Sequence, residues 1–214
     1  MDLTNIRSLI PEHAKDLKLN ISSVLTQEGA PGLSREQILA TALASAVAAR
    51  NEPLLREVES VVAPTLGPAQ LQAARAAAAI MGMNNVYYRF LHMVGNDEYA
   101  KLPAKLRMNV IGSPGVDKVD FELYSLAVSA INGCGACVAS HEKVVRKAGV
   151  TAEGVLPRDR AGAALRAGSA RAARSPGSSP SGGRTGSPGS GREPAGCRRV
   201  GTSGRRAAGS GCTR

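Results

Sequence analysis

The feature that most limits what this chain can fold into is a change of vocabulary near residue 156. From Leu156 to Arg214 it is built almost entirely of Ala, Arg, Gly, Pro and Ser, with runs such as Ser175-Pro176-Gly177-Ser178-Ser179-Pro180. Such a composition holds too few large apolar side chains to offset the entropy of ordering it. A folded core is therefore expected in residues 1–155, followed by a disordered tail over 156–214. The same break partitions the charge. The formal net charge is +10 over 214 residues, and the tail alone carries twelve arginines, no lysine and only two acids, Asp159 and Glu193. Residues 1–155 hold as many bases as acids. Nucleic acid is thus no specific partner: the basic tail could meet phosphates but has no aromatic side chain to stack on bases. Arginine without lysine, among residues that GC-rich codons encode, reads as a coding sequence in the wrong frame. The tail is taken as a frameshift product that begins near codon 155 and replaces the final helices of the body.

The body reads as helix after helix, an all-α fold. Ile6, Leu9, Ile10, Ala14 and Leu17 recur at helical spacing and predict a first helix over about 5–19. Ser34-Arg35-Glu36-Gln37 is a capping box that opens an Ala-rich helix ending near Asn51, ahead of Pro53. Gly67-Pro68 opens another from Ala69 through Met81 toward Val94, with proline where its missing N–H costs nothing. Pro103, Pro114 and Gly115 mark a looser connection, and a helical stretch over 118–148 breaks at Asn132-Gly133. The body also repeats at an offset of 84. Leu39, Thr41, Ser45, Ala46 and Val47 fall on Leu123, Ser125, Ser129, Ala130 and Ile131, and Leu66, Pro68 and Leu71 on Val150, Ala152 and Val155. Two copies of one helical unit are expected. The long helix near 72–94 then requires a partner beginning near 156, which the tail does not supply.

Asp2, Arg7, Glu12, Lys15, Asp16 and Lys18 interrupt the first twenty residues, so these cannot form the apolar stretch of an export signal. The longest weakly polar run, Ala76 to Val86, is too short to cross a bilayer and contains Asn84 and Asn85. A cytoplasmic protein without membrane association is expected.

Chemistry concentrates in Asp120 to Glu142. Cys134, Cys137 and His141 stand at i, i+3 and i+7, which places them on one face of a helix starting near Cys134. A helix N-terminus favours the thiolate, the form that attacks peroxides and disulfides. Gly133, Gly135 and Ala136 leave room for a bulky reactant. A zinc site needs about four ligands and finds two cysteines with one histidine. A structural disulfide is disfavoured in a reducing cytoplasm, while two buried inert thiols remain open. A thioredoxin-type site needs a strand before the motif, where this sequence predicts a helix. A helical redox dithiol is the reading that remains. Glu122 alone could be a first-turn acid and His141 alone a core or surface histidine; their spacing to the cysteines favours function. Met81 and Met83 read as core filler, Tyr124 as packing or channel wall, Glu142 as solvated, and Cys197 and Cys212 as incidental thiols.

Phe121-Glu122-Leu123, Ser125, Ala127-Val128-Ser129-Ala130-Ile131-Asn132-Gly133-Cys134, Cys137 and His141-Glu142, with the stretch from Ala78 to Val86, closely resemble the alkyl hydroperoxidase D (AhpD) branch of the carboxymuconolactone decarboxylase-like superfamily. The resemblance covers about residues 5–155. It implies an internally duplicated all-α fold and a homotrimer. It also implies that Cys137 attacks the peroxide and becomes a sulfenic acid, that Cys134 donates a proton and resolves it to a Cys134–Cys137 disulfide, and that Glu122 and His141 form the proton relay. No bound cofactor is implied. Dihydrolipoamide on a 2-oxoacid dehydrogenase component, kept reduced by lipoamide dehydrogenase, is the reductant, organic hydroperoxides are the substrate, and the peroxiredoxin AhpC is a partner. The family often carries histidine just before the second cysteine; here that position is Ala136. Two alternatives stand beside an antioxidant peroxidase: a disulfide reductase of AhpC with negligible peroxidase activity, and an inactive remnant with an altered C-terminus.

Overall fold

Two helices that are buried on every side through their middle turns form the centre of the protein. The structure is a computed structural model that describes residues 4–156, 162–165 and 167. In chain order its helices are α1 (Thr4–Leu9), α2 (Lys15–Val24), α3 (Arg35–Ala49), α4 (Glu52–Val62), α5 (Pro68–Val94), α6 (Asp97–Lys101), α7 (Asn109–Gly112), α8 (Lys118–Asn132) and α9 (Gly135–Lys147). No strand occurs among the described residues. The fold is all-α, as the periodicity predicts. Every residue from Ile38 to Ala46 in α3 and from Phe121 to Ser129 in α8 is buried. A helix without a polar face has to be enclosed. α3 and α8 lie against each other, and α5 packs on both.

The helix starts follow local chemistry. Both capping-box bonds form at Ser34: its hydroxyl accepts from the Gln37 N–H at 3.1 Å, and Gln37 Oε1 accepts from the Ser34 N–H at 3.1 Å. Asp117 caps α8 by accepting from the Val119 N–H at 2.7 Å. Gln37 Nε2 also donates to Asp120 Oδ1 at 2.6 Å, tying the first turns of the two central helices together. α5 begins at Pro68 and buries Ala73, Ala74, Ala77 and Ala78, small residues that let 27 residues of helix lie close to its neighbours. Among the described residues no helix is long and apolar enough to cross a membrane.

Three differences from the sequence reading carry physical reasons. The single first helix is broken into α1, a 3-10 turn at Glu12–Ala14, and α2. Pro11 supplies no N–H and disfavours helical geometry at the residue before it. Ile10 and Ile21 are buried; the side chains of Ile6 and Leu9 lie outside the described ones. Second, α4 went unread. Asn51 Oδ1 accepts from the Leu54 N–H at 2.9 Å, Pro53 sits in the first turn, and Leu54, Val58 and Val62 form a buried stripe at four-residue spacing.

The third difference concerns the duplication. α3–α4 and α8–α9 are the same pair, but their starts, Arg35 and Lys118, Glu52 and Gly135, are 83 residues apart rather than 84. The offset becomes 84 at the third helix, where Pro68 matches the helical Ala152. One extra residue before that third helix accounts for the change. The partner helix expected to be missing is also partly formed. Residues 162–165 are helical, with Ala164 buried and Leu165 0% exposed. Leu165 falls on the equally buried Met81 at the offset of 84, and Gly162 on the buried Ala78. A side chain at Gly162 would meet Ile131 Cγ1 at 3.0 Å, so glycine permits this close approach. Gly-Ala-Ala-Leu is helix-compatible and ends in a large apolar residue, so the core reaches past 156. The remainder of the expected disordered tail, Cys197 and Cys212 included, lies outside the described residues.

Candidate active site

The site begins where α8 ends. Gly133 adopts a left-handed φ of 70°, its N–H donates to the Ala130 carbonyl at 3.1 Å, and the Cys134 N–H reaches the Ser129 carbonyl at 3.1 Å. This is a Schellman turn, in which the residue after the left-handed glycine closes the helix. Cys134 is that residue and is also the N-cap of α9, its sulfur accepting from the Cys137 N–H at 3.4 Å. A single turn therefore seals one helix, opens the next and sets Cys134 and Cys137 one helical turn apart. Both are free thiols and both are buried. The break expected at Asn132-Gly133 is present, and the helix starts where the spacing argument requires.

His141 lies one further turn along α9, and its Nδ1 is 2.6 Å from Glu122 Oε2. Glu122 is 5% exposed, so this carboxylate is sealed in the core on α8 with the imidazole as its partner. A carboxylate on Nδ1 fixes the tautomer and orientation of the ring, leaving Nε2 for proton transfer. Nε2 lies 3.2 Å from Met81 Sδ. Met81 is a core residue, as the sequence suggests, but it also touches the histidine. Tyr124, by contrast, is fully buried packing and takes no part in the cavity wall. Glu142 is half-exposed and pairs with Arg146 at 3.8 Å, a surface ion pair worth little.

Cys137, His141 and Glu122 share a cavity of about 390 Å³ with Ser140, Ala136, Met81, Asn84, Tyr88 and Met108. Cys134 lies behind the wall, 0% exposed. Cys137 is thus the thiol a small molecule meets first. Burial pushes the Cys137 thiol up from 9.0 to about 11, and its hydrogen bond with Cys134 adds to the rise. The Asn85 side chain and the helix backbone act in the opposite direction. At neutral pH the resting thiol is protonated, and reaction with an electrophile requires a base within reach.

Sequence reasoning did not assign Asn84, Asn85, Tyr88 and Met108 to the site. Asn85 is fully buried, donating to Ser129 Oγ at 2.9 Å and accepting from Asn132 Nδ2 at 2.9 Å. Asn84 and Asn85 stand in the sequence reading as polar interruptions of an apolar run and as part of the family-like stretch from Ala78 to Val86, without a role in the site. Two adjacent amides in the middle of an Ala-rich helix were the signal that could have found them.

Residues 97–174 match the carboxymuconolactone decarboxylase family. The chain is 54% identical to the alkyl hydroperoxide reductase AhpD of Gluconacetobacter diazotrophicus over 167 residues, 78% of this chain and 90% of the relative. It is 54% identical to the AhpD of Streptomyces coelicolor over 153 residues, 72% of this chain and 84% of the relative. The AhpD of Rhizorhabdus wittichii is 50% identical over 167 residues, 78% and 95% of the two chains. The chain belongs to the AhpD family. The matched family segment holds Glu122, Cys134, Cys137 and His141 and runs past 155, over the helical residues 162–165. Met81 and Asn85, the α5 side of this AhpD site, lie before it.

Proposed function

We propose that this chain is an antioxidant enzyme that reduces organic hydroperoxides through its dithiol. The observation that carries the reading is the placement of Cys137 on the wall of a cavity it shares with His141, whose ring Glu122 holds at 2.6 Å. The names of the relatives add to it. In this reading the Glu122–His141 pair takes the proton of the dithiol, and the Cys137 thiolate attacks the terminal oxygen of ROOH. The O–O bond breaks, the alcohol ROH leaves with a proton, and Cys137 becomes a sulfenic acid. Cys134, one turn away, attacks that sulfur and expels water, forming the Cys134–Cys137 disulfide. Dihydrolipoamide on a 2-oxoacid dehydrogenase component reduces the disulfide by thiol exchange, and lipoamide dehydrogenase restores the lipoyl group. The lipoyl group is a substrate rather than a bound cofactor. AhpC is the protein partner whose disulfide the reduced dithiol can regenerate, and a homotrimer is the assembly. Exposed Val86, Phe90, Met93, Tyr99 and Leu102 around the end of α5 support an assembly surface.

A second reading is a disulfide reductase of AhpC with negligible peroxidase activity; the raised Cys137 thiol favours neither reading, because the thiolate attacks peroxides and disulfides alike. Consumption of cumene hydroperoxide, driven by NADH through lipoamide dehydrogenase and lipoamide, tests both. Turnover by the chain alone that Cys137→Ser removes supports the peroxidase; turnover that appears only when AhpC is added supports the reductase.

A further inference from the structure

Two adjacent asparagines in the middle of α5 are both buried, and the fold uses only one of them. Asn85 is tied on both sides: its amide donates to Ser129 Oγ at 2.9 Å and accepts from Asn132 Nδ2 at 2.9 Å. Asn84 is 4% exposed, and its Oδ1 has no hydrogen-bond partner among the described residues. Taking an amide out of water without a partner is costly, so such a group in a native core calls for a reason. The other buried side-chain atoms in this condition among the described residues are Arg7 Nε, Thr41 Oγ1, Ser45 Oγ and Ser125 Oγ, and none of those residues borders the cavity that holds Cys137. Asn84 does.

Helical spacing sets where it stands. Met81, Asn84 and Tyr88 are at i, i+3 and i+7 on α5, one face of the helix, and all three line the cavity. Met81 Sδ lies 3.2 Å from His141 Nε2, which puts Asn84 one helical turn further along the same wall. Tyr88 and Ser140 also bring hydroxyls to the cavity, but Tyr88 is partly buried and Ser140 exposed, so water serves both. The Asn84 amide can turn only to what enters the cavity. No lysine or arginine lines that space among the described residues, and its volume of about 390 Å³ is small for a ligand pocket, which spans about 300 to 1,000 Å³. A compact, uncharged molecule fits it best.

We propose that Asn84 binds the substrate: its amide hydrogen-bonds the alkyl-bearing oxygen of an uncharged hydroperoxide whose compact alkyl or aryl group lies against Met108, Ile111 and Val144. The assignment rests on the reading of Cys137 as the thiol that attacks hydroperoxides. A hydroperoxide carries one O–H donor and two acceptor oxygens, and a primary amide has both a donor and an acceptor to set against them. The terminal torsion of asparagine is soft, so either end of the amide can turn to the cavity. As the Cys137 thiolate bonds to the terminal oxygen, the O–O bond breaks and its electron pair passes to the alkyl-bearing oxygen. Cys137 is oxidised to the sulfenic acid, and the alkoxide takes the proton that His141 removed from the dithiol and leaves as the alcohol. A hydrogen bond to an ionised acceptor is roughly twice as strong as one between neutral groups, so the Asn84 N–H holds the oxygen more tightly as charge grows on it. That difference lowers the barrier.

The first test is a titration of the reduced, asparagine-labelled full-length protein with cumyl alcohol, the product of cumene hydroperoxide, followed by NMR at the side-chain amides. A saturable shift at Asn84 with a much smaller one at Asn85 is expected. An Asn84 amide unmoved up to the solubility limit of the alcohol, or equal shifts at both residues, overturns the proposal. No turnover is needed, so a chain that leaves hydroperoxides unreduced would sink the peroxidase reading and still show whether Asn84 takes the oxygen of such a molecule. The second test is kinetic. Asn84→Leu should lower the rate constant for oxidation of Cys137 by cumene hydroperoxide about a hundredfold, the scale for removing one donor from a developing oxyanion. Alkylation of Cys137 by iodoacetamide needs the same thiolate but expels iodide, which needs no donor, so it should change by less than about twofold. Equal losses in both reactions, or no loss in either, in a folded variant overturn the assignment. Should Asn84→Leu not fold, the titration decides.

Discussion

At Arg50-Asn51 the chain leaves α3 through a left-handed residue and enters α4 through a side-chain cap; at Gly133-Cys134 it makes the same exit from α8 and the same entry into α9 with a glycine and a thiol. The correspondence continues along both pairs at an offset of 83. Leu39, Leu54 and Val58, all buried core residues, stand where Glu122, Cys137 and His141 stand in the second copy. One copy spends these positions on packing and the other on chemistry. Three apolar side chains exchanged for an acid, a thiol and an imidazole leave room for a cavity, and the polar groups are kept inside by pairing with one another. Because the first copy retains its apolar stripe, the fold does not depend on the second copy to supply its whole core.

The largest expected effect is on activity. Cys137→Ser should lower hydroperoxide turnover by about a thousandfold or more, since it removes the proposed nucleophile. Unfolding by urea should show a change of under about 1 kcal/mol in the same variant, because oxygen replaces sulfur at a cavity wall. Leu54→Ala, its counterpart in the first copy, should do the reverse. It deletes a fully buried side chain and should cost about 3 kcal/mol by the same denaturation, and activity per folded molecule should be retained. If both variants lost stability equally, the division of labour between copies would be wrong.

Glu122→Gln keeps the shape of the side chain but removes the carboxylate from His141 Nδ1. A loss of about a hundredfold in kcat is expected, the lower end of a general acid–base contribution. Rising pH gives a further check. With Cys137 held up at about 11 against 9.0 for an ordinary thiol, the native state keeps a proton that the unfolded chain has released over that interval. Stability should therefore be intact below pH 9 and fall between pH 9 and 11, and Cys137→Ser should remove this part of the slope. The smallest effects lie in the turns. Arg50 carries a positive φ of 54° without being glycine, so Arg50→Gly should stabilise by about 0.5 kcal/mol in thermal unfolding. Gly133→Ala should cost about 1 kcal/mol and also slow turnover, because its turn aims both cysteines.

Much of this could be read in one dimension because it rests on local rules. Capping chemistry at Ser34, proline at Pro68, the stop at Gly133 and the i, i+3, i+7 spacing of Cys134, Cys137 and His141 are decided within a few residues of chain, and the structure reproduces each of them. The first helix was misjudged because apolar spacing ran through Pro11, where the missing N–H outweighs the pattern. The exchange of Leu54 and Val58 for Cys137 and His141 was hidden by an offset taken as 84, a register that only helix starts could correct. Beyond local reach, tertiary structure decided the rest. It brought α5 against α8 and α9, so that Met81 meets His141 and Asn85 meets Ser129 and Asn132 across more than forty residues of sequence. It also buried Leu165, whose surroundings in sequence resemble a tail. The physical reason is common to all of these. A hydrogen bond or a buried contact between distant helices depends on how their faces pack, and packing is a property of the assembled core that no local stretch of sequence contains.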